Sequence, residues 1–249
     1  MLWYKAWLET RSRFLASLCG ITTIVVLLVH HMEDVMRPVG LSGARYFVAL
    51  RRSAGDIFNS GQHLLVAIWM LAVILLGMGG LIRERAAGTS SLTLALPVSR
   101  RRLVWVQIAV GVIESIGLGV IPWIAILITL GVGGFPVSFS QAVFYLALLI
   151  SGGLIYFALA MLTSSLIEGE YTAPAVAFGV AILSAMVCGT VNAIRPYADL
   201  WRFMGGDNHF SDGASLLRGP FPWLGAFAAL SVAALLLLTS VAVIQRREF

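Results

Sequence analysis

An all-α protein with six transmembrane helices is the fold that this sequence predicts, mainly because of its composition and the length of its apolar blocks. Hydrophobic residues make up 59% of the 249 residues, charged residues only 12%, and the mean hydropathy is +0.91. Soluble domains average about 45–50% apolar and about 25% charged residues, so a soluble enzyme is excluded. The apolar residues form long blocks, and a helix needs about 20 of them to cross a bilayer. Six such helices leave no room for a soluble domain of ordinary size, so residues 1–249 are predicted to form one transmembrane domain.

Polar or glycine-rich segments separate the predicted spans. The spans cover about 14–30, 62–82, 103–130, 140–163, 172–193 and 222–244. Before the first span, residues 1–13 place one set of residues on one helical face and a polar set on another: Leu2, Trp3, Ala6, Trp7 and Thr10 against Lys5, Glu9, Ser12 and Arg13. Tryptophans and a basic flank on an amphipathic helix predict that this segment lies in the headgroup plane.

The distribution of basic residues predicts the orientation of the spans. The segments on the side of the termini are 1–13, 83–102, 164–171 and 245–249, and they hold 10 Lys and Arg in 46 residues. The segments on the opposite side are 31–61, 131–139 and 194–221, and they hold 7 in 68. Because basic residues concentrate in cytoplasmic loops, both termini and residues 83–102 are predicted to be cytoplasmic.

Motifs for catalysis and metal binding are missing from the sequence. There is no GxxxxGK[ST], HExxH, EF-hand or GxSxG pattern, so nucleotide binding and the corresponding enzyme classes are not expected of this chain. His30 and His31 stand beside Met32 at a predicted membrane boundary, and such donors suit copper. No closed ligand set accompanies them, which favours an interfacial role over a metal site. The basic residues flank apolar spans, so no nucleic-acid partner is expected either.

Glu114 is an acidic residue well inside the third predicted span. Counted from Leu103 at 1.5 Å per residue, it lies roughly 16 Å along that helix. A charge there is expensive, so its side chain is expected to face other helices or a water-filled cavity. Two interpretations remain open: a contact with substrate or protons in a translocation path, or a packing hydrogen bond to Ser115 or a neighbouring span.

Residues 83–102 are the most informative segment. A connection between spans needs only about 2–8 residues, and this one is far longer. The residues that define it are Glu84, Arg85, Gly88, Thr89, Leu92, Leu96, Pro97, Ser99 and Arg100. The leucines recur at helical spacing between a glycine and a proline, which predicts a short amphipathic helix held at the cytoplasmic surface by arginines. A basic membrane flank explains the arginines alone, whereas docking onto a cytosolic partner explains the whole pattern.

The run ERAAGT at 84–89, followed by LALPVSR at 94–100, resembles the first cytoplasmic loop of type-2 ABC-transporter permeases. The N-terminal interfacial helix, the six spans and the basic end of the chain fit the same pattern. The 31–61 loop departs from it by its length and polarity. The resemblance implies that residues 83–102 form a coupling helix that seats in a groove of a separate ATPase subunit.

The resemblance further implies a permease subunit in the cytoplasmic (inner) membrane of a prokaryote. Two copies, or this chain and a paralogue, would surround an export path and bind two cytosolic ATPase subunits. Those subunits would hold ATP and Mg, and this chain would bind no cofactor. Glu84 would fix the coupling helix, while Glu168 and Glu170 form either a second ATPase contact or a solvated turn. The alternatives are a non-transporting scaffold that passes ATPase motion to an extracytoplasmic partner, and an enzyme using Glu114 and the boundary histidines.

Overall fold

Seven helices form the described part of the chain in this computed structural model. The described residues are 2–36, 64–77, 99–132, 139–167, 172–190, 200–205 and 221–246. The helices are α1 (Leu2–Met36), α2 (Leu64–Leu76), α3 (Arg100–Val132), α4 (Phe139–Leu166), α5 (Thr172–Thr190), α6 (Leu200–Gly205) and α7 (Trp223–Arg246). Within those ranges there is no strand, which confirms the all-α prediction.

Four of these helices are long and apolar enough to cross a membrane. The qualifying stretches are Leu2–Leu27, Arg101–Ala125, Val143–Leu166 and Trp223–Arg246, and two shorter apolar helices cover Val66–Leu76 and Thr172–Cys188. Each of these six helices overlaps one predicted span, but four of them, rather than six, are long enough to qualify as spans in the described residues.

The N-terminus differs from the prediction of a separate interfacial helix at 1–13. Residues 2–13 are the first third of α1, which continues without interruption to Met36. No glycine or proline stands between the charged segment and the apolar segment, so nothing breaks the helix there. Its small residues also let it pack on a neighbour, since Ala6 is buried with Val106 and Val110 of α3. The prediction that 1–13 stands alone as a surface helix is therefore corrected.

α2 and α3 pack on α4 at glycines. The indole of Trp69 lies so close to Gly153 that a Cβ there would stand 1.6 Å from Cζ3. The Phe157 ring lies against Gly111 in the same way, with Cζ 2.4 Å from the position of a Cβ. Phe157 is completely buried, and these close approaches allow large aromatic side chains between helices at interior packing density.

Contacts between helices show their relative directions. α1 and α3 run the same way, because Thr10 contacts Glu114 and Phe14 lies beside Gly117. α4 runs opposite to α3, as shown by two contacts: Phe157 with Gly111, and Leu146 with Gly119.

α2 and α7 run in the same direction as α4. Trp69 lies against Gly153, and eight residues later Gly77 O accepts a hydrogen bond from Ser164 Oγ at 3.3 Å. For α7, two contacts with α4 show the direction: Ser240 with Met161, and Phe221, which stands two residues before α7, with Phe144. One end of the bundle is thus formed by the starts of α1 and α3 and the ends of α2, α4 and α7. We call it the basic end, after the cations Lys5, Arg101, Arg102 and Arg246.

α6 is an element that the sequence did not predict, since 194–221 was expected to be a loop. It packs into the bundle, with Met204 fully buried beside Gly152 of α4 and Phe203 beside Gly225 of α7. Six residues are too few to show a helical period, which is why this element is not readable from the sequence.

Candidate functional site

The basic end gathers cations from helices that are distant in sequence. Arg101, Arg102 and Arg246 are exposed there, and Lys5 Nζ lies 3.5 Å from Glu9 Oε1 on the surface of α1. An exposed ion pair of this kind contributes little stability. The cluster instead gives this end a positive potential, which suits anionic headgroups or an acidic protein surface.

Most residues of the predicted coupling segment lie outside the described residues. These are Glu84, Arg85, Gly88, Thr89, Leu92, Leu96 and Pro97, together with Glu168 and Glu170 of the second cytoplasmic loop. Ser99 and Arg100 are described. Arg100 begins α3, so the three arginines form its first turn, and the predicted boundary between loop and span at 102–103 is wrong by three residues.

Ser99 is the N-cap of α3. Its Oγ accepts a hydrogen bond from the backbone N of Arg102 at 3.4 Å, and its carbonyl accepts one from the same N at 2.9 Å. A serine at this position adds a side-chain acceptor for a backbone N–H of the first turn, so the helix starts at its cap, before the apolar run.

The two flanks of residues 78–98 lie at the same end of the bundle. Gly77, directly after α2, accepts the hydrogen bond from Ser164 near the end of α4. Ser99 precedes α3, whose start faces the end of α4 because the two helices are antiparallel. Both residues that flank 78–98 therefore lie at the basic end.

Glu114 is buried against α1. Only 2% of its surface is exposed, and its Oε1 accepts a hydrogen bond from Thr10 Oγ1 at 2.5 Å. Ser115 is not its partner, because Ser115 Oγ donates to the carbonyl of Gly111 at 2.7 Å. The structure thus favours the packing interpretation of Glu114, with a neighbouring helix as its partner.

The sequence placed Thr10 on the apolar face of residues 1–13 but did not identify it as the partner of Glu114. The spacing of Ala6, Thr10 and Phe14 by four residues marks the face of α1 that packs on α3. That signal was present, but Trp3 and Trp7 dominated the predicted apolar face, and both tryptophans are exposed.

In the part of the chain that the structure describes, no group of three or more His, Cys, Asp or Glu is placed to hold a metal. Neither Cys19 nor Cys188 forms a disulfide in the described part of the chain. The apolar helices, the buried polar contact between them and the cations at one end define a multi-pass membrane protein.

A family profile described as "ABC-2 family transporter protein" matches residues 12–200, the greater part of the chain. The chain therefore belongs to the ABC-2 family of transporter proteins and is a permease subunit of an ABC transporter. This agrees with the resemblance shown by residues 84–100. No curated protein matches the chain.

Proposed function

We propose that this permease couples ATP hydrolysis by separate cytosolic ATPase subunits to the export of a substrate. Family membership supports the transporter assignment. The observation that carries the coupling is the position of Gly77 and Ser99, because both flanks of the coupling segment stand at the basic end. A force applied to that segment acts directly on the ends of α2 and α3.

The proposed topology has six spans, formed by α1, α2, α3, α4, α5 and α7, with both termini cytoplasmic in the inner membrane of a prokaryote. The helix directions support it, since α1 and α3 run one way while α2, α4 and α7 run the other. The cations at the starts of α1 and α3 and at the end of α7 support a cytoplasmic position for the basic end, because basic residues concentrate on that side of a membrane.

The proposed assembly contains two permease chains, either identical or paralogous, and two ATPase subunits that bind ATP and Mg. Residues 84–100 seat in the ATPase, with Glu84 fixing the helix, Gly88 and Thr89 starting it and Pro97 ending it. Glu168 and Glu170 form a second contact, because the end of α4 lies at the same end of the bundle.

Replacement of residues 88–97 by a Gly/Ser linker tests the coupling. The complex of the permease with its ATPase is purified and reconstituted in liposomes, where nucleotide hydrolysis and substrate efflux are measured together. Loss of the helix removes the rigid element that transmits motion, so ATP hydrolysis is expected to continue while efflux falls by at least about tenfold. The substrate efflux of Glu84→Ala is expected to lie between that of the wild type and that of the linker variant.

A linker of equal length at 44–53, on the predicted outer side, is the matched control and leaves coupling intact. Normal efflux by the 88–97 variant contradicts the coupling role. If the wild-type complex binds the ATPase but shows no efflux of any substrate class tested, the protein is a scaffold instead.

A further inference from the structure

The contact between Thr10 and Glu114 joins α1 and α3, which both begin at the basic end. Thr10 Oγ1 lies 2.5 Å from Glu114 Oε1, but 3.2 Å and 3.4 Å from the carbonyl oxygens of Ala6 and Trp7. A threonine hydroxyl has one proton to donate. The nearest acceptor takes it, so the bond forms between the helices rather than within α1.

The surroundings of this bond make it hard to replace. Ala6, Val106 and Val110 are buried around it, and Glu114 Oε2 has no hydrogen-bond partner in the described residues. Glu114 itself is only 2% exposed. Loss of Thr10 as a donor therefore leaves Glu114 without a described partner, which is costly in a low-dielectric setting.

The bond lies in the middle of a continuous seam. Ala6 packs on Val106 and Val110, Thr10 contacts Glu114, and Phe14 lies beside the next turn of α3. From Ala6 to Phe14 the seam is about 12 Å long at 1.5 Å per residue. If one rigid helix slid along the other, all the contacts of this seam would break together.

Hydrogen bonds join several pairs of helices in the described residues. Thr10 joins α1 to α3. Ser164 joins α4 to α2, and Ser240 joins α7 to α4 through the carbonyl of Met161. α3 packs on α4 through aromatic side chains, with Phe157 on Gly111 and Tyr145 beside Trp123.

We propose that Thr10 and Glu114 lock α1 to α3, so that α1 moves with α3 when the coupling segment 83–102 acts on it. This inference rests on the proposed function. Glu114 acts here as a positioning residue that holds α1. The moving unit is thus a pair of parallel helices, and it carries the N-terminal segment of the chain with it.

Distances between spin labels on the intact complex test the lock. One pair of cysteines replaces Ser12 on α1 and Ile116 on α3, and a reference pair replaces Ile116 and Leu235 on α7, in a background without Cys19 and Cys188. All three label sites are exposed. With ATP and Mg, the reference distance is expected to change by more than about 2 Å, the scale of helix shifts in switching proteins, while the α1–α3 distance stays constant. An α1–α3 distance that changes as much as the reference overturns the lock.

Variants of Thr10 separate the lock from the transport hypothesis. Without nucleotide, Thr10→Val is expected to broaden the α1–α3 distance distribution about twofold, because the helices then sample several positions. Thr10→Ser keeps the hydroxyl and the narrow distribution. Thr239→Val is the matched control, since the Thr239 hydroxyl bonds to Leu235 of its own helix at 2.8 Å.

Each outcome has one meaning. If nucleotide changes neither distance, the proposed function fails, and the lock is judged by Thr10→Val alone. An unbroadened distribution in Thr10→Val contradicts the lock even in a complex that transports. Glu114→Gln, which keeps an oxygen acceptor for Thr10, preserves the narrow distribution, and Glu114→Ala broadens it.

Discussion

A single methyl group at position 153 is expected to disrupt the centre of the bundle. In Gly153→Ala the new Cβ would lie 1.6 Å from Cζ3, 2.1 Å from Cη2 and 2.9 Å from Cε3 of Trp69. Normal carbon contacts are about 3.5–4.0 Å, so the backbone of α4 and the indole must separate by about 2 Å. The indole has no space to retreat into, because only 2% of Trp69 is exposed.

The loss of folding stability in Gly153→Ala follows from this overlap. Overpacking of a core by a methyl group typically costs about 1–3 kcal/mol, and occasionally more, and this overlap is at the severe end. For a chain of about this size, 1 kcal/mol corresponds to about 2–4 °C in Tm. We therefore expect Gly153→Ala to lower the unfolding temperature of the purified chain by about 6–12 °C, measured by loss of the monodisperse elution peak after heating.

Gly179→Ala is the matched control. Gly179 lies in α5 with nothing within 4 Å of a Cβ, and alanine in a helix is about 0.5–1 kcal/mol more favourable than glycine. Its unfolding temperature should stay level or rise. Trp69→Leu combined with Gly153→Ala should recover part of the loss, because contacting residues couple. Equal unfolding temperatures for the two alanine variants would refute the assignment of the close contact.

Two further substitutions probe the cap of α3 and the joint between α4 and α7. Ser99→Ala removes the side-chain acceptor of the Arg102 N–H and is expected to lower the stability of the first turn of α3 by about 0.5–2 kcal/mol. This loss is measured as faster hydrogen exchange in that turn. Ser99→Asp keeps an acceptor and should keep the protection from exchange. Ser240→Ala removes the buried donor to Met161 O and should cost about 1 kcal/mol in thermal unfolding. Ser231→Ala, whose hydroxyl bonds within α7, should change little; an equal loss in both serine variants would show that the joint contributes nothing.

The apolar helices could be predicted because their signal is local. A block such as 140–163 contains enough apolar residues to require burial in lipid or protein wherever it lies. The family resemblance was also local, since residues 84–100 form one short run. The error at Arg100–Arg102 arose because hydropathy marks the edge of the lipid, whereas a helix begins where its cap is, at Ser99.

Contacts between helices were not readable in the same way. The partner of Glu114 stands 104 positions away, and although spacing places Thr10 on a packing face of α1, no local pattern pairs it with Glu114. Ser115 was the sequence neighbour, but its hydroxyl bonds to its own helix.

By itself, the sequence determined that this protein is a set of apolar helices with cations toward one side, because hydropathy and charge act on each segment separately. Only the tertiary structure decided that α1 is one helix packed along α3, that Trp69 rests on Gly153, and that Thr10 meets Glu114. The physical reason is that each of these contacts depends on the relative rotation and shift of two rigid helices. Small residues such as Ala6 and Gly153 permit close approach, but the partner side chain decides which approach is stable.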